Sequence, residues 1–369
     1  MKNVFTVRCR MVSLLVGVLL GLPLLAFAQG QGDQTTGSGP KPSVGETVLV
    51  PKKTPPSQPK PDEKKLEKIN PNEVFTLSTT TNLVNVEVMV LDPNGYPIPN
   101  LGKVNFRVSD DGVPQTISNF GPAEAPMTIC MLIEFSNKWW YALYQTLRYA
   151  YDFLNVIEPK DWVAVMSFDM QQQILQDFTQ NRYEVTQALD RLRIPGFSEI
   201  NLFDALAFTI DRMKDIQGRK AILVICTGFD TFSKLTYGDM LKISKASDTM
   251  VYPISILEFM TVRGYAAEGV GSLQARNQLE YIARYSGGQA YFPRFEAELP
   301  TIYRQIAEQL RRQYSLGFVP TNPSKDGKYH KLKVDLVDPQ GNPLKMVDQK
   351  GKNVKYRVVA REGYYAPKS

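Results

Sequence analysis

The stretch Cys130-Met-Leu-Ile-Glu134-Phe-Ser136-Asn-Lys138-Trp139-Trp140 places a carboxylate and a hydroxyl directly after an apolar run. Such a run is typical of a strand buried on both faces, and Trp140 opens a helical spacing of apolar residues. A strand that passes into a helix presents its last polar side chains at its carboxyl end. The stretch therefore predicts one unit of an α/β domain, with candidate cation-binding positions at that end.

The same alternation of strand and helix signals continues along the chain. Apolar runs at 128–133, 162–168, 221–226 and 251–257 predict parallel strands. Helical spacing joins three sets of residues between and after them: Trp140, Leu143, Tyr144, Leu147, Tyr151 and Leu154; Leu202, Ala205, Leu206, Thr209 and Met213; and Leu299, Ile302, Tyr303, Ile306 and Leu310. We expect a doubly wound α/β domain at 124–318, with its ligand site at the carboxyl ends of the strands, hereafter the top face.

Both flanks of this region carry β signals. Residues 73–123 alternate with period two before the turn Asp92-Pro-Asn-Gly95, and residues 319–369 carry a similar turn, Asp338-Pro-Gln-Gly341. Each flank alone is small for an independent core. We expect the two flanks to complete one antiparallel β-sandwich into which the α/β domain is inserted. Two separate small β units are the alternative.

The N-terminus reads as an export signal followed by a tether. Lys2, Arg8 and Arg10 precede an apolar run, and Ala26-Phe27-Ala28 offers a cleavage site, so we expect residues 1–28 to be removed. A retained anchor is the alternative. Residues 29–72 are rich in Gly, Pro, Ser and Lys and predict a disordered tether. The mature chain would be secreted or periplasmic, with no integral membrane span.

Charge, histidine and cysteine content exclude several functions. Loss of the signal would reduce the formal net charge from +6 to +3, which gives no electrostatic reason to expect nucleic-acid binding. The single histidine, His330, lies in a strand-like stretch, so a surface strand position is expected and a histidine-dependent catalytic triad or zinc cluster is not. Cys130 and Cys226 lie in apolar runs and are expected to be buried thiols, with a disulfide as the alternative.

The chain resembles von Willebrand factor A domains, and in particular a family of secreted acidobacterial proteins related to them. The resemblance runs from about residue 75 to the C-terminus and rests on a combination of segments, each weak alone. They are Val86-Glu-Val-Met-Val-Leu-Asp92, Leu202-Phe-Asp-Ala205, Gly287-Gly-Gln-Ala-Tyr-Phe-Pro293, Gln313-Tyr-Ser-Leu-Gly-Phe-Val-Pro320-Thr-Asn-Pro323 and Gly363-Tyr-Tyr-Ala-Pro367.

The resemblance implies a divalent-cation site on the top face. Such domains hold the ion by Asp-x-Ser-x-Ser after the first strand, a Thr before a later helix and an Asp after the fourth strand. Carried over position by position, the ligands become Glu134, Ser136, Lys138, Ile200 and Thr227, so that Ser136 alone is unchanged.

These replacements predict a degenerate metal-ion-dependent adhesion site that holds no metal. A carboxylate is lost at Thr227, an oxygen ligand is lost at Ile200, and the ammonium of Lys138 would repel a cation by several kcal/mol at about 4 Å. We expect Lys138 to pair with Glu134 instead, although Ser198 or Asn201 could supply an oxygen if the loop alignment shifts. Asp230 is expected to cap a helix or stabilise a turn rather than to ligate an ion.

The expected function is that of an exported, non-enzymatic protein-interaction or adhesion module without a cofactor. Glu134, Ser136, Lys138 and Trp139 are the predicted partner-binding residues on the top face, while Trp140 is expected in the core. Residues 259–271 predict a second loop at the rim. The partner would be a protein or an envelope component.

Two other functions are open alternatives. One is cation-dependent adhesion through a modified ligand shell that holds magnesium or calcium. The other is a hydrolase that uses Ser136 or Thr227, although neither has a histidine partner in the sequence.

Overall fold

The computed structural model describes residues 83–122, 126–138, 142, 147, 150–151, 153–216, 218–264, 266, 269–322, 326–347 and 351–366. The predicted signal peptide and tether lie outside these residues, as do Trp139 and Trp140. Within the described part, none of the helices combines the length and the apolar character that a membrane crossing requires.

The elements fall into three stretches of chain. The N-terminal stretch contains β1 (Val84–Leu91), β2 (Phe106–Asp110), β3 (Val113–Gln115) and β4 (Ile117–Pro122), with a 3-10 turn at Lys103–Asn105. The central stretch contains β5 (Met127–Glu134), β6 (Trp162–Phe168), β7 (Gln172–Thr179), α1 (Arg182–Asp190), α2 (Leu202–Met213), β8 (Arg219–Cys226), α3 (Tyr237–Ala246), β9 (Met250–Ser255), α4 (Leu257–Val262), α5 (Val270–Ser286), a 3-10 turn at Glu296–Glu298 and α6 (Leu299–Arg311). The C-terminal stretch contains β10 (Tyr314–Phe318), β11 (Tyr329–Leu336), β12 (Met346–Val347), β13 (Asn353–Val354), β14 (Arg357–Ala360) and β15 (Gly363–Tyr365). Between β5 and β6, helical residues are described at 142, 147, 150–151 and 153–156.

The central sheet has the strand order β7-β6-β5-β8-β9. Strand β5 pairs in parallel with both β6 and β8, β8 pairs in parallel with β9, and β7 is an antiparallel edge strand. All eight residues of β5 and all eight of β8 are buried, as the apolar runs predict. The fourth predicted strand ends early, because Leu257 already begins a helix.

Helices cover both faces of this sheet. Successive residues of β5 alternate between two core clusters: Ile129, Met131 and Ile133 belong to one, Cys130 and Leu132 to the other. Each cluster is completed by helices, with α6 packed in the first and α2 in the second. The expected doubly wound α/β fold is therefore confirmed.

Helix ends carry recognisable sequence signals. Thr236 and Asp239 form a reciprocal capping box at the start of α3, and Gly287 ends α5 in the left-handed conformation with φ of 82°. The predicted rim loop at 259–271 is instead helical at both ends, where α4 and α5 lie. Strand β7 and helices α1, α3 and α5 were not among the named predictions.

The two flanks form one β-sandwich, as expected. Its sheets have the orders β14-β1-β10-β4 and β15-β11-β2-β3, so that each contains strands from both ends of the chain. Val86, Val108, Leu316 and Leu332, from four different strands, share one apolar core. Two independent β units are therefore excluded. Strand β10, which the predicted boundary at 318 places in the α/β domain, pairs with β1 and β4 of the sandwich.

The two similar turns of the flanks have the same hydrogen bonds. Oδ1 of Asp92 accepts from the backbone N–H groups of Asn94 and Tyr96, both at 2.8 Å. Oδ1 of Asp338 accepts from those of Gln340 at 2.9 Å and Asn342 at 2.8 Å. The shared turn pattern in the sequence thus corresponds to a shared local geometry.

Cys130 and Cys226 are free, buried thiols. Cys130 is paired in register with Ile222, so Cys226 lies four residues further along β8. Four residues of a strand span about 13 Å, roughly twice the Cα separation that a disulfide permits. The pairing of parallel strands thus excludes the disulfide alternative.

Candidate functional site

The candidate site lies where the order of the parallel strands reverses. Glu134 is the last residue of β5, and Thr227 follows the last residue of the adjacent strand β8. The chain continues from β5 to β6 on one side and returns to β8 on the other. Ligand sites in open α/β sheets form at such a switch point, because the loops diverge there and leave a crevice.

The carboxylate of Glu134 is the centre of a closed hydrogen-bond network. Its Oε2 accepts from the backbone N–H of Thr227 at 2.7 Å and from the Thr227 hydroxyl at 2.9 Å. Its Oε1 accepts from the hydroxyl of Ser136 at 3.2 Å. All three residues have 0 % exposed surface. Glu134 is thus held in place by the strand next to it and by the first turn after its own strand.

Burial sets the protonation of this carboxyl group. Removal from water raises the pKa of Glu134 to about 7, while the hydrogen bonds from Thr227 and Ser136 act in the opposite direction. The group is therefore partly protonated near neutral pH. Its ability to attract a cation is correspondingly reduced.

Thr227 is itself fixed from two directions. Its carbonyl oxygen accepts the hydroxyl of Ser255 at 2.9 Å, which links the ends of β8 and β9. Gly228 follows with φ of 91°, and a Cβ there would lie 2.7 Å from Cδ1 of Leu279 on α5. The positive φ and this close approach both favour glycine at residue 228, where the chain leaves the strand.

Ile200 points into the core rather than toward a ligand. Its side chain is 1 % exposed and belongs to the apolar cluster that contains α2. Its carbonyl oxygen accepts from the backbone N–H groups of Thr231 at 2.8 Å and Phe232 at 2.9 Å. The position that the resemblance assigns to an oxygen ligand thus joins two loops of the top face.

Asn201 and Ser198 are the alternative residues that could supply an oxygen ligand to a cation. Ser198 is exposed. Asn201 is 4 % exposed, and its Nδ2 donates to the carbonyl of Met170 at 2.8 Å. Its Oδ1 is buried and has no hydrogen-bond partner among the residues that the structure describes.

The expected pairing of Lys138 with Glu134 is wrong. Lys138 lies on an exposed turn, whereas the Glu134 carboxylate is enclosed and takes its hydrogen bonds from Ser136 and Thr227. The chain turns outward after Ser136, where the backbone N–H of Asn137 donates to the carbonyl of Phe197 at 2.7 Å. Burial also leaves Glu134 and Ser136 without surface for direct contact with a partner, while Trp139 lies outside the described residues.

Asp230 acts as the expected helix cap. Its Oδ1 accepts from the backbone N–H of Phe203 at 3.3 Å, in the first turn of α2, and also from the hydroxyl of Ser233. Asp204 of α2 bonds in return to the loop that contains Asp230. Its carboxylate accepts from the N–H groups of Lys234 at 2.9 Å and Leu235 at 3.0 Å. The loop after β8 is therefore attached to the start of α2.

One organising residue was missed from the sequence. Asp169 directly follows β6, and its carboxylate accepts from the N–H groups of Gln171 at 2.8 Å and Phe197 at 3.1 Å. Its carbonyl accepts from the N–H of Asn201 at 2.9 Å. The signal was its position, since an acidic residue directly after an apolar strand faces the top of a parallel sheet.

Exposed aromatic side chains adjoin the buried network. Phe197 is 43 % exposed and Phe232 is 54 % exposed. They lie in different loops. The carbonyl of Phe197 accepts from the N–H of Asn137, which follows Ser136, and the loop of Phe232 is joined to the network by the N–H of Phe229, which donates to the Thr227 hydroxyl at 3.3 Å. The top face therefore combines a closed polar centre with an apolar rim.

His330 is far from this arrangement in the fold. It lies in β11 of the sandwich, as expected, but it is half-buried rather than on the surface. Its Nδ1 is 3.1 Å from Oδ1 of Asp110 and 3.3 Å from Oδ2 of Asp111. The hydroxyl of Tyr364 donates to the same Asp110 carboxylate at 2.8 Å.

Comparisons with known proteins show that this chain is similar in structure to several solved proteins. No protein-family model matches the chain, and no curated protein matches it. The chain is similar to the PilB minor pilin from Streptococcus sanguinis, with 10 % identity, coverage of 52 % of this chain and 63 % of the pilin, and a TM-score of 0.39. The similarity thus spans less than two thirds of that protein.

Two further similar structures are described as von Willebrand factor domains. One is a von Willebrand factor type A protein from Catenulispora acidiphila, with 11 % identity, coverage of 79 % of this chain and 75 % of that chain, and a TM-score of 0.41. The other is the von Willebrand factor domain of the type V pili tip protein Mfa5 from Porphyromonas gingivalis, with 13 % identity, coverage of 50 % and 94 %, and a TM-score of 0.39.

Proposed function

We propose that this chain is an exported, non-enzymatic protein-interaction module of the adhesion type, whose top face binds a protein or envelope partner without a bridging cation. The observation that carries the proposal is the closed network at Glu134, whose two carboxylate oxygens already accept three hydrogen bonds from Thr227 and Ser136. Export rests on the composition of residues 1–28.

A divalent cation suits this network poorly. A metal ligand directs lone pairs at the ion, whereas Oε2 of Glu134 receives an N–H and an O–H from Thr227. Ile200 contributes hydrocarbon where an oxygen would be required. A pKa of about 7, raised by burial, also leaves Glu134 with only part of its charge at neutral pH. We therefore regard the site as a degenerate metal-ion-dependent adhesion site.

The apolar rim supports direct contact with a protein. Phe197 and Phe232 expose large aromatic surfaces on the two loops that are bonded to the site, and Lys138 is exposed on the turn whose Asn137 donates to Phe197. Aromatic side chains surrounded by polar groups are typical of the residues that contribute most to protein–protein binding. With Trp139 adjacent in the sequence, Lys138 completes the proposed contact surface.

The same geometry argues against a hydrolase. The hydroxyl of Ser136 donates to the Glu134 carboxylate, but Ser136 has 0 % exposed surface, so a substrate cannot reach it. Thr227 is equally enclosed. Treatment with a fluorophosphonate probe should therefore leave Ser136 unmodified, as judged by peptide mass spectrometry.

The proposal is tested by crosslinking the full chain in the cell envelope of its source organism. We expect a crosslinked partner band that persists in EDTA and decreases at least about tenfold when Phe197 and Phe232 are both replaced by Ala, since each aromatic anchor contributes about 1–2 kcal/mol or more. Val104→Ala on the sandwich, 69 % exposed, is the matched control. Loss of the band in EDTA, or equal bands for all variants, would contradict the proposal.

One observation favours cation-dependent adhesion as the second candidate. The buried Oδ1 of Asn201 lacks a hydrogen-bond partner within the described residues and is an oxygen of the kind that magnesium and calcium bind. Calorimetric titration with magnesium and manganese separates the candidates, because millimolar or tighter affinity would support this second one. Lys138→Ser combined with Thr227→Asp should create such binding if the positional assignments are correct.

A further inference from the structure

Three side chains that can ligate a metal meet at one end of a sandwich sheet. Asp110 ends β2, Asp111 follows it in the turn to β3, and His330 lies in the adjacent strand β11. One donor atom of each residue lies within 4.8 Å of those of the other two. The cluster belongs to the sandwich and shares no residue with the top face.

The separations between these atoms suit a shared ion. Nδ1 of His330 is 3.1 Å from Oδ1 of Asp110 and 3.3 Å from Oδ2 of Asp111. Two ligand atoms that are each about 2.0–2.2 Å from a tetrahedral zinc ion lie about 3.3–3.5 Å apart. Zinc accepts imidazole nitrogen together with carboxylate oxygen, whereas magnesium and calcium prefer oxygen alone. The donor set therefore favours zinc.

The protein fixes each of these side chains through its other atoms. Oδ2 of Asp110 accepts the hydroxyl of Tyr364 at 2.8 Å, and Oδ1 of Asp111 accepts the backbone N–H of Lys331 at 2.8 Å. The ring of Tyr364 also stacks on the imidazole of His330, with 5.2 Å between the ring centroids. Outer contacts of this kind orient the ligands of metal sites. Each carboxylate is thus held by one oxygen and directs the other at His330.

A proton alone does not balance the charge of the cluster. Nδ1 of His330 can donate one proton, and even an imidazolium carries one positive charge beside two carboxylates. In the described part of the chain, neither Asp110 nor Asp111 forms an ion pair with a lysine or an arginine. A divalent ion beside a neutral imidazole would neutralise both carboxylates and relieve their mutual repulsion.

We propose that Asp110, Asp111 and His330 bind a zinc ion. The protein ligands are Oδ1 of Asp110, Oδ2 of Asp111 and Nδ1 of His330, and water occupies the remaining position. The side chain of Asp111 is 54 % exposed, so the ion enters from solvent on that side.

The proposed ion connects the two flanks of the chain. Asp110 belongs to the N-terminal flank and His330 to the C-terminal flank, 220 residues later. Zinc therefore stabilises the sandwich and is independent of the function proposed for the top face. The sequence indicated no zinc site, because it contains a single histidine and neither aspartate lies near it along the chain.

The first test is ¹⁵N NMR of the full chain labelled at histidine. His330 is the only histidine, so its two ring nitrogens give a single pair of signals. One equivalent of zinc should shift the Nδ1 signal and leave the proton on Nε2. Calorimetry should show one zinc site with a Kd below about 10 μM, and magnesium should bind at least about a hundredfold more weakly. Unchanged imidazole signals at about 1 mM zinc would overturn the proposal.

Variants then assign the ligands. Asp111→Asn and His330→Gln should each weaken zinc binding at least about tenfold. Asp211→Asn makes the same change as Asp111→Asn at a residue of α2 whose side chain is 71 % exposed, and it should leave binding unchanged. Because Asp111 lies on an exposed turn and asparagine keeps an acceptor for Lys331, this variant tests the ligand even if His330→Gln fails to fold.

Thermal unfolding gives an independent measurement. Zinc at about a hundredfold excess over its Kd should raise the melting temperature of the original protein by about 5 °C, and it should raise that of Asp111→Asn much less. Equal zinc affinity of Asp111→Asn and the original protein would overturn the proposal. An equal rise in melting temperature for both proteins would do so as well.

Discussion

Glu134 and Thr227 are joined across the carboxyl ends of two adjacent parallel strands, with Oε2 of Glu134 accepting both the backbone N–H at 2.7 Å and the hydroxyl at 2.9 Å of Thr227. The contact connects β5 to β8 at the point where the strand order reverses. It places a carboxyl group in an environment without water, where its charge is costly and its hydrogen bonds are strong. The stability of the fold should therefore depend on the state of this one pair.

Stability should fall as Glu134 loses its proton. Burial raises its pKa from 4.5 to about 7, so between these values the folded protein binds more protons than the unfolded chain. The free energy of unfolding should decrease over this pH range, by about 3 kcal/mol on an order-of-magnitude basis, and stay constant above it. Glu134→Gln cannot ionise and should remove this contribution, which urea unfolding from pH 4 to 8 would measure.

The decisive quantity in that experiment is the difference in the free energy of unfolding between the original protein and Glu134→Gln. Glu199→Gln makes the same chemical change at an exposed residue of the top face and should leave the pH dependence unaltered. If the free-energy difference between Glu134→Gln and the original protein stayed the same from pH 4 to 8, Glu134 would not have a raised pKa.

The hydroxyl of Thr227 should contribute more to the stability of the fold than the size of the group suggests. Thr227→Val keeps the backbone N–H bond to Glu134 but removes the O–H donor from a fully buried carboxylate, and it should destabilise the fold by about 1–3 kcal/mol. The loss should be larger at pH 8 than at pH 5, because bonds to a charged acceptor are stronger. Thr227→Ser keeps the donor and is the control. Equal stability of the Val and Ser variants would mean that the hydroxyl bond contributes nothing.

The main strands of the central sheet and the two flanking segments that form the sandwich were predictable, because each follows from the pattern of apolar residues in its own stretch of sequence. Strands β5 and β8 are buried along their whole length, and an apolar run is the direct consequence. Strand β7 was not predictable, because an edge strand with the sequence Gln-Gln-Ile-Leu-Gln-Asp-Phe-Thr pairs on one side and is half-exposed. In the sequence, its polar residues cannot be distinguished from those of a loop.

The site was predictable in its position but not in its contacts. Strand ends place Glu134 and Thr227 at one edge of the sheet, which follows from parallel pairing alone. Whether Lys138 turns inward depends on the backbone of the turn after Ser136, and that turn is fixed by Phe197, more than fifty residues away in the chain. Short polar side chains such as Asp169 acquire their role through loops that the sequence does not bring together.

The two buried thiols should be unreactive in the folded protein. Burial raises the pKa of Cys130 to about 12 and that of Cys226 well above its usual value, so neither forms the thiolate that reacts. Iodoacetamide at pH 8 should modify Cys130 and Cys226 only after addition of guanidinium chloride, as judged by peptide mass spectrometry. Rapid labelling of either residue without denaturant would show that the central sheet opens.

Gly228 should be the least replaceable glycine near the site, and Gly112 allows its two costs to be separated. Both have positive φ, 91° and 84°, so Ala at either position is strained by about 1 kcal/mol. A Cβ at residue 112 meets nothing within 4 Å, whereas at residue 228 it lies 2.7 Å from Cδ1 of Leu279. Gly228→Ala should therefore destabilise the protein by about 1–3 kcal/mol more than Gly112→Ala, because the fully buried side chain of Leu279 must shift within the core to make room for the added Cβ. Thermal unfolding of both variants measures the difference, and the destabilisation caused by Gly228→Ala should be smaller when it is measured in a Leu279→Ala background than in the original protein. Equal melting temperatures for the two glycine variants would show that α5 accommodates the added methyl group without cost.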